Sequence, residues 1–221
     1  MNILNTPSKK CRFGERKSVR IMSKSDEFAI IWFVFRIATV NEEGKVADSM
    51  ADPKVCVALD GTTVEEMTDE AARANLAGAD MVEVRFDRLY LVKPDPTISD
   101  EEEGEKPELP PENDWETMNM EDVDVEASIA ALKEGLPLPV IFTVRPVSEG
   151  GFFPGVESER IEILQKAIDS KVSWIDLELS IEDSTRKTLQ DAASANGCQI
   201  IASSHDINGT PDAETIVAMV R

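Results

Sequence analysis

A single histidine, His205, and three cysteines without a Cys-x-x-Cys pair are all that this 221-residue chain offers a transition metal. Neither zinc-site spacing nor a disulfide framework is present, and no metal is expected. Basic residues are also scarce. Against 43 Asp and Glu there are 23 Lys and Arg, a net charge of −20, which argues against a nucleic-acid binder, because backbone contacts need clustered cations to displace counterions. Hydrophobic runs are short: Phe28–Phe35 spans eight residues before Arg36, where a membrane span needs about 20. No nucleic acid and no membrane are therefore expected as partners. The G-x-G-x-x-G fingerprint of dinucleotide folds is missing after the first strand, where Asp60-Gly61-Thr62-Thr63 stands, which argues against a doubly wound nucleotide-binding sheet. No cofactor is expected. Cys56 and Cys198 lie in apolar stretches suited to reduced, buried thiols, which fits a cytoplasmic location.

What is present is enough for a core: 42% of the residues are hydrophobic, so wholesale disorder is excluded. Charge divides the chain. Residues 1–50 hold nine basic and six acidic side chains, whereas residues 51–221 hold fourteen and thirty-seven. Residues 1–49 are expected to be an extension outside the domain, upstream of a native start at Met50, and residues 50–221 to be the domain.

From Met50 onward, apolar β-rich runs alternate with helical stripes. Strands are expected at Lys54–Leu59, Met81–Phe86, Val140–Val144, Trp174–Leu179 and Gln199–Ser203. Between them Thr63-x-x-Glu66 opens a helix as a capping box, with Val64, Met67, Ala71 and Ala74 on one face. Val125, Ile129 and Leu132 mark a second helix, and Ile161, Leu164 and Ile168 a third. A fourth ends near Gly197. Thr210-Pro211 reads as the N-cap and first residue of a fifth, with Ile216, Val217 and Val220 inward. The long gap after the second strand is an acidic, proline-broken insertion at 95–124, expected to be a solvated loop too charged to pack.

Strict alternation implies a parallel sheet covered by helices. The choice between a doubly wound sheet and a (β/α)8 TIM barrel, incomplete here at five β/α units, rests on where polar residues fall. They gather at strand C-terminal ends, where barrel active sites are built. Glu83, Arg85 and Asp87 recur at period two, which places all three on one face. Thr143-Val-Arg145 leads into Glu149-Gly150-Gly151; Asp176 and Glu178 share the fourth strand; Ser203-Ser204-His205-Asp206 closes the fifth. A lone histidine at a strand end is a candidate acid/base, and arginine forks suit polyol or carboxylate ligands.

Together, Glu-x-Arg-x-Asp, Thr-x-Arg-x-x-x-Glu-Gly-Gly, Asp-Leu-Glu-Leu and Ser-x-His-Asp, in that order, resemble type I, Schiff-base-forming 3-dehydroquinate dehydratase of the shikimate pathway. The resemblance runs from about Lys54 to Arg221. It implies dehydration of 3-dehydroquinate to 3-dehydroshikimate, with His205 as acid/base and Glu149 orienting it. Glu83, Arg85 and Arg145 would bind substrate, and Asp176 would support the site. It also implies a lysine on a sixth strand, and no Schiff-base lysine is found in this chain. The chain is accordingly expected to be a fragment, inactive by that route, with 3-dehydroquinate as its small-molecule partner and a homodimer allowed. A non-catalytic half-barrel that binds a polyol acid or recruits a basic partner is the alternative, and another Schiff-base barrel such as an aldolase is a third reading.

Overall fold

Five β-rich runs, each too short and too branched to remain helical, set the frame of the computed structural model, which describes residues 33–35, 39–40, 46–47, 54–95 and 109–219. They form β1 (Lys54–Leu59), β2 (Met81–Arg85), β3 (Val140–Thr143), β4 (Trp174–Glu178) and β5 (Gln199–Ser203). All four neighbouring pairs are parallel and follow chain order. A short strand, Phe33–Phe35, adds antiparallel to the free edge of β1, with Phe33 opposite Cys56. The expectation of a separate extension over residues 1–49 otherwise falls mostly outside the described residues.

Helices α1 (Val64–Leu76), α2 (Val125–Gly135), α3 (Glu157–Asp169) and α4 (Asp183–Asn196) cross between strands. Their apolar stripes meet one face of the sheet. Val82, Val84, Phe142, Ile175 and Leu177 pack there against Met67, Ala71, Ile129, Leu132, Leu164, Ile168 and Leu189. Full burial of each large aliphatic or aromatic side chain contributes about 1.5–3 kcal/mol. The opposite face has two zones. Near the strand starts lies an apolar floor of Cys56, Met81 and Ile141 with Trp174 and Ile201. Towards the strand ends the same face turns polar, because Glu83 is paired with Ile141, Arg85 with Thr143, and Glu178 with Ser203. In a parallel ladder, directly paired residues share a face.

Local details depart from the sequence expectations in four places. The α1 cap is split: Thr63 Oγ1 accepts from Glu66 N–H at 3.1 Å, but the Glu66 carboxylate bonds Thr62 N–H at 2.8 Å rather than that of Thr63. Asp87 does not continue β2. It curls into a 3-10 turn, Phe86–Tyr90, which carries its carboxylate back towards Arg85. The latter half of the acidic insertion packs. Buried Arg88 needs a counter-charge, and Glu112 supplies both carboxylate oxygens at 2.9 and 2.7 Å while Glu116–Thr117 pairs with Leu91–Val92. Finally, α5 (Ala213–Met219) begins later than Thr210-Pro211, since Asp212 Oδ1 accepts from Thr215 N–H at 2.8 Å and takes the capping position. Ile216 and Val217 of α5 are exposed rather than inward, and Val220 lies outside the described residues.

Candidate active site

The loop after β3 is shaped by its glycines and by one carboxylate. Gly150 adopts φ 78°, a left-handed conformation that favours glycine. At Gly151 a Cβ would stand 2.0 Å from the Arg145 carbonyl oxygen, so only glycine permits the close return of the chain. Asp87, fully buried, ties both ends of this loop. Its oxygens accept from Arg145 N–H at 3.2 Å and from Phe152 N–H at 3.1 Å, and they also take the Arg85 fork at 2.9 and 2.7 Å.

So held, the loop delivers Glu149 to the end of β5. Glu149 Oε2 lies 3.0 Å from His205 Nδ1 and accepts the His205 backbone N–H at 3.0 Å. Its other oxygen accepts from Ser180 Oγ. Burial raises the Glu149 carboxyl, yet the bonds from Ser180 and His205 outweigh it and hold the group below its ordinary value. A carboxylate only accepts, so the ring proton sits on Nδ1, and in neutral imidazole Nε2 keeps its lone pair. The His205 side chain is 34% exposed against 9% for Glu149, which gives a fixed, partly open imidazole.

Deeper along the same sheet face stands a guanidinium–carboxylate cluster. Arg145 Nη2 is 3.0 Å from Asp176 Oδ2 and 3.8 Å from Glu83 Oε1, and Nε is 3.4 Å from Glu178 Oε1. Thr143 Oγ1 donates to Glu83 at 2.9 Å. Behind them Arg160, buried on α3, donates from Nη1 to Glu178 at 2.7 Å and to the Val144 carbonyl at 2.9 Å. Burial above all, and the neighbouring Glu178, push the Asp176 carboxyl up to about 7, with the Ser203 hydroxyl and Arg145 easing it down.

Of the residues singled out in the sequence, the structure joins His205 to Glu149, and Arg145 to Glu83 and Asp176. Arg85 stands on the same face but is committed to Asp87. Described lysines bond elsewhere: Lys54 with Asp80, Lys93 with Glu66, Lys133 with the Ser170 carbonyl, Lys166 with Glu126 and Lys187 with Asp191. Lys171 is exposed in the turn after α3. Sequence reasoning passed over Ser180, and it named Ser203 in the Ser-x-His-Asp block without giving it a role. Ser180 stands just past the end of β4, and that position was the available signal.

Helices on one side of a parallel sheet, with ionisable residues confined to the strand C-termini of the other, is the layout of an enzyme of the (β/α)-barrel class. Solved structures share it. A 3-dehydroquinate dehydratase from Enterococcus faecalis superposes with a TM-score of 0.57 at 24% identity, over 75% of this chain and 58% of that one. The family model of type I 3-dehydroquinase matches residues 55–221, and the chain belongs to that family, one of hydro-lyases. A 3-dehydroquinate dehydratase from Methanothermobacter thermautotrophicus is 31% identical over 168 residues, 76% of this chain and 59% of the relative. The bifunctional 3-dehydroquinate dehydratase/shikimate dehydrogenase of Arabidopsis thaliana is 28% identical over 166 residues, 75% of this chain and 22% of its own length. This chain therefore spans little more than half of the single-function relatives it matches. Its sheet is not closed into a barrel among the described residues.

Proposed function

We propose that this chain supplies the proton-transfer half of a 3-dehydroquinate dehydratase site. The observation that carries the reading is the Glu149–His205 pair at 3.0 Å, brought together from the loops after β3 and β5, on either side of β4. Glu149 fixes the imidazole with Nε2 as the base. Glu83, Arg145 and, braced by its Asp87 pair, Arg85 hold substrate oxygens, and Asp176 supports Arg145. In the reaction the substrate ketone condenses with a lysine amine, losing water, to give a protonated imine. His205 Nε2 removes a proton from the adjacent carbon, and the electron pair moves to the imine nitrogen as an enamine. That pair then returns to expel the hydroxyl, which leaves as water with the proton held by the imidazolium. Hydrolysis of the imine releases product and restores the amine.

The lysine that this route needs is not among the described site residues. The 221-residue chain is accordingly proposed to bind substrate oxygens without forming the imine. The setting is proposed to be cytoplasmic. Free, buried Cys56 and Cys198 support it, their thiols pushed up to about 12 and 11, in both cases mainly by burial. Among the described residues no helix is long and apolar enough to cross a membrane.

One preparation tests both statements. Borohydride treatment with 3-dehydroquinate should leave the mass of the chain unchanged, and a reduced adduct would overturn the no-imine statement. His205 is the only histidine, so its ring resonances report binding directly. Saturable movement with 3-dehydroquinate, lost in Glu149→Gln, is the expected result; resonances indifferent to substrate would sink the proposed site.

A further inference from the structure

The cluster beneath the dyad contains one negative charge too many. Three carboxylates face one another: partly buried Glu83 from β2, and buried Asp176 and Glu178 from β4. Two guanidiniums serve them. Arg145 approaches all three, while Arg160, from α3, divides itself between Glu178 and the half-exposed Glu157. Arg85 is no help, being taken by Asp87 in a bidentate pair. From β5 the cluster is faced by the neutral Ser203 hydroxyl, paired in register with Glu178.

The hydrogen-bond inventory points the same way. Asp176 Oδ1, Glu178 Oε1, Ser203 Oγ and Arg145 Nε are all buried without a hydrogen-bond partner. The Asp176 and Glu178 side chains are 5% and 0% exposed. Glu178 Oε1 and Arg145 Nε face each other at 3.4 Å and the Ser203 hydroxyl bears on Asp176, so what stays unmet is the surplus negative charge and a further donor for the carboxylate oxygens around Asp176, and an unpaired buried charge is costly. A proton meets both demands: it cancels the surplus and turns one acceptor into a donor.

We propose that Asp176 and Glu178 together hold one proton at neutral pH, seated on Asp176 Oδ1, and that neutral Asp176 is a positioning residue for Arg145. The seat follows from the distances. Glu178 has Arg160 at 2.7 Å as well as Arg145 at 3.4 Å, whereas Asp176 has Arg145 alone at 3.0 Å. With Asp176 neutral, Arg145 loses its nearest anion, keeps only the longer contacts to Glu178 and Glu83 at 3.4 and 3.8 Å, and is free to turn to an oxygen-rich ligand. With Asp176 ionised, Arg145 is captured. The elevated Asp176 carboxyl agrees with this geometry. Only the choice of ligand rests on the dehydratase reading.

Carboxyl infrared difference spectra of the 221-residue chain over a pH titration test the proton. In wild type one carboxyl is expected to titrate near neutrality, and its band should vanish in Asp176→Asn. In Glu178→Gln, which removes the neighbouring charge, the midpoint should fall by about one unit or more, roughly tenfold in proton affinity. A folded wild type with no carboxyl titrating near neutrality overturns the proposal, as does a band that persists in Asp176→Asn. The positioning role is read by binding of 3-dehydroquinate. Affinity should weaken in wild type as pH rises through the same midpoint and be nearly flat in Asp176→Asn; a flat wild-type profile overturns the role. Titration of Asp176 without any binding of 3-dehydroquinate would uphold the shared proton and instead refute the dehydratase reading.

Discussion

Asp87 accepts four hydrogen bonds from three places in the chain: two from the Arg85 side chain, one from the Arg145 backbone and one from the Phe152 backbone. Removing such a carboxylate leaves Arg85 without its partner and frees the loop that carries Glu149. Asp87→Ala is expected to cost about 3–5 kcal/mol in chemical denaturation, the range for breaking a buried pair. At Gly151 the same loop is limited by sterics rather than charge, and Gly151→Ala should displace the Glu149 turn, which the His205 resonances would register. The two acids of the site respond to pH with opposite signs. Glu149 is held below its ordinary 4.5, so its contribution to stability is present above that value and lost as pH falls through the lowered one. Asp176 is raised from 3.8 to about 7, so the native state binds the extra proton and stability declines as pH rises across that interval. Asp176→Asn should therefore gain in Tm relative to wild type as pH is raised through neutrality, as calorimetry would show. Glu83, Arg145, Asp176 and His205 were legible in the sequence because strand ends can be placed from apolar runs and ionisable residues there have few structural uses. Ser180 was not, because a hydroxyl beside a strand end carries no distinguishing pattern until its neighbour is known.

At the scale of elements, periodicity located all five strands and the first four helices, and it failed where a single contact decided the outcome. The α1 stripe of Met67, Ala71 and Ala74 is buried as its spacing requires. In α3, however, buried Arg160 and Ile163 lie beside Leu164 and Ile168, and a stripe defined by aliphatic residues alone omits the arginine. The acidic insertion shows the same limit. Composition predicts a solvated loop, but one buried guanidinium, Arg88, draws Glu112 to the turn that follows β2, and the segment after it pairs with Leu91–Val92. Leu164 is fully buried in the layer between α3 and the sheet. Leu164→Ala is expected to lose about 2–5 kcal/mol, whereas Leu76→Ala, on an 88% exposed side chain, should stay within about 0.5 kcal/mol. Equilibrium unfolding of the pair checks the assigned helix faces.

In the whole molecule, the two zones of the inner sheet face separate support from chemistry. Cys56, Met81, Ile141, Trp174 and Ile201 make an apolar floor, over which a cavity of about 200 Å³ opens beside Lys54 and Asp80. The ionisable residues sit above it at the strand ends, the side of a parallel barrel that holds active sites. We propose that His205, oriented by Glu149, moves the proton in a dehydration that runs through an imine on a lysine. It is tested most directly by joining this chain to the remaining strands of the Methanothermobacter relative and following 3-dehydroshikimate formation with and without His205→Ala. The account predicts that both forms trap an imine with borohydride, and that His205→Ala lowers turnover about 10²–10⁴-fold. Equal turnover by two folded, imine-forming proteins would contradict it.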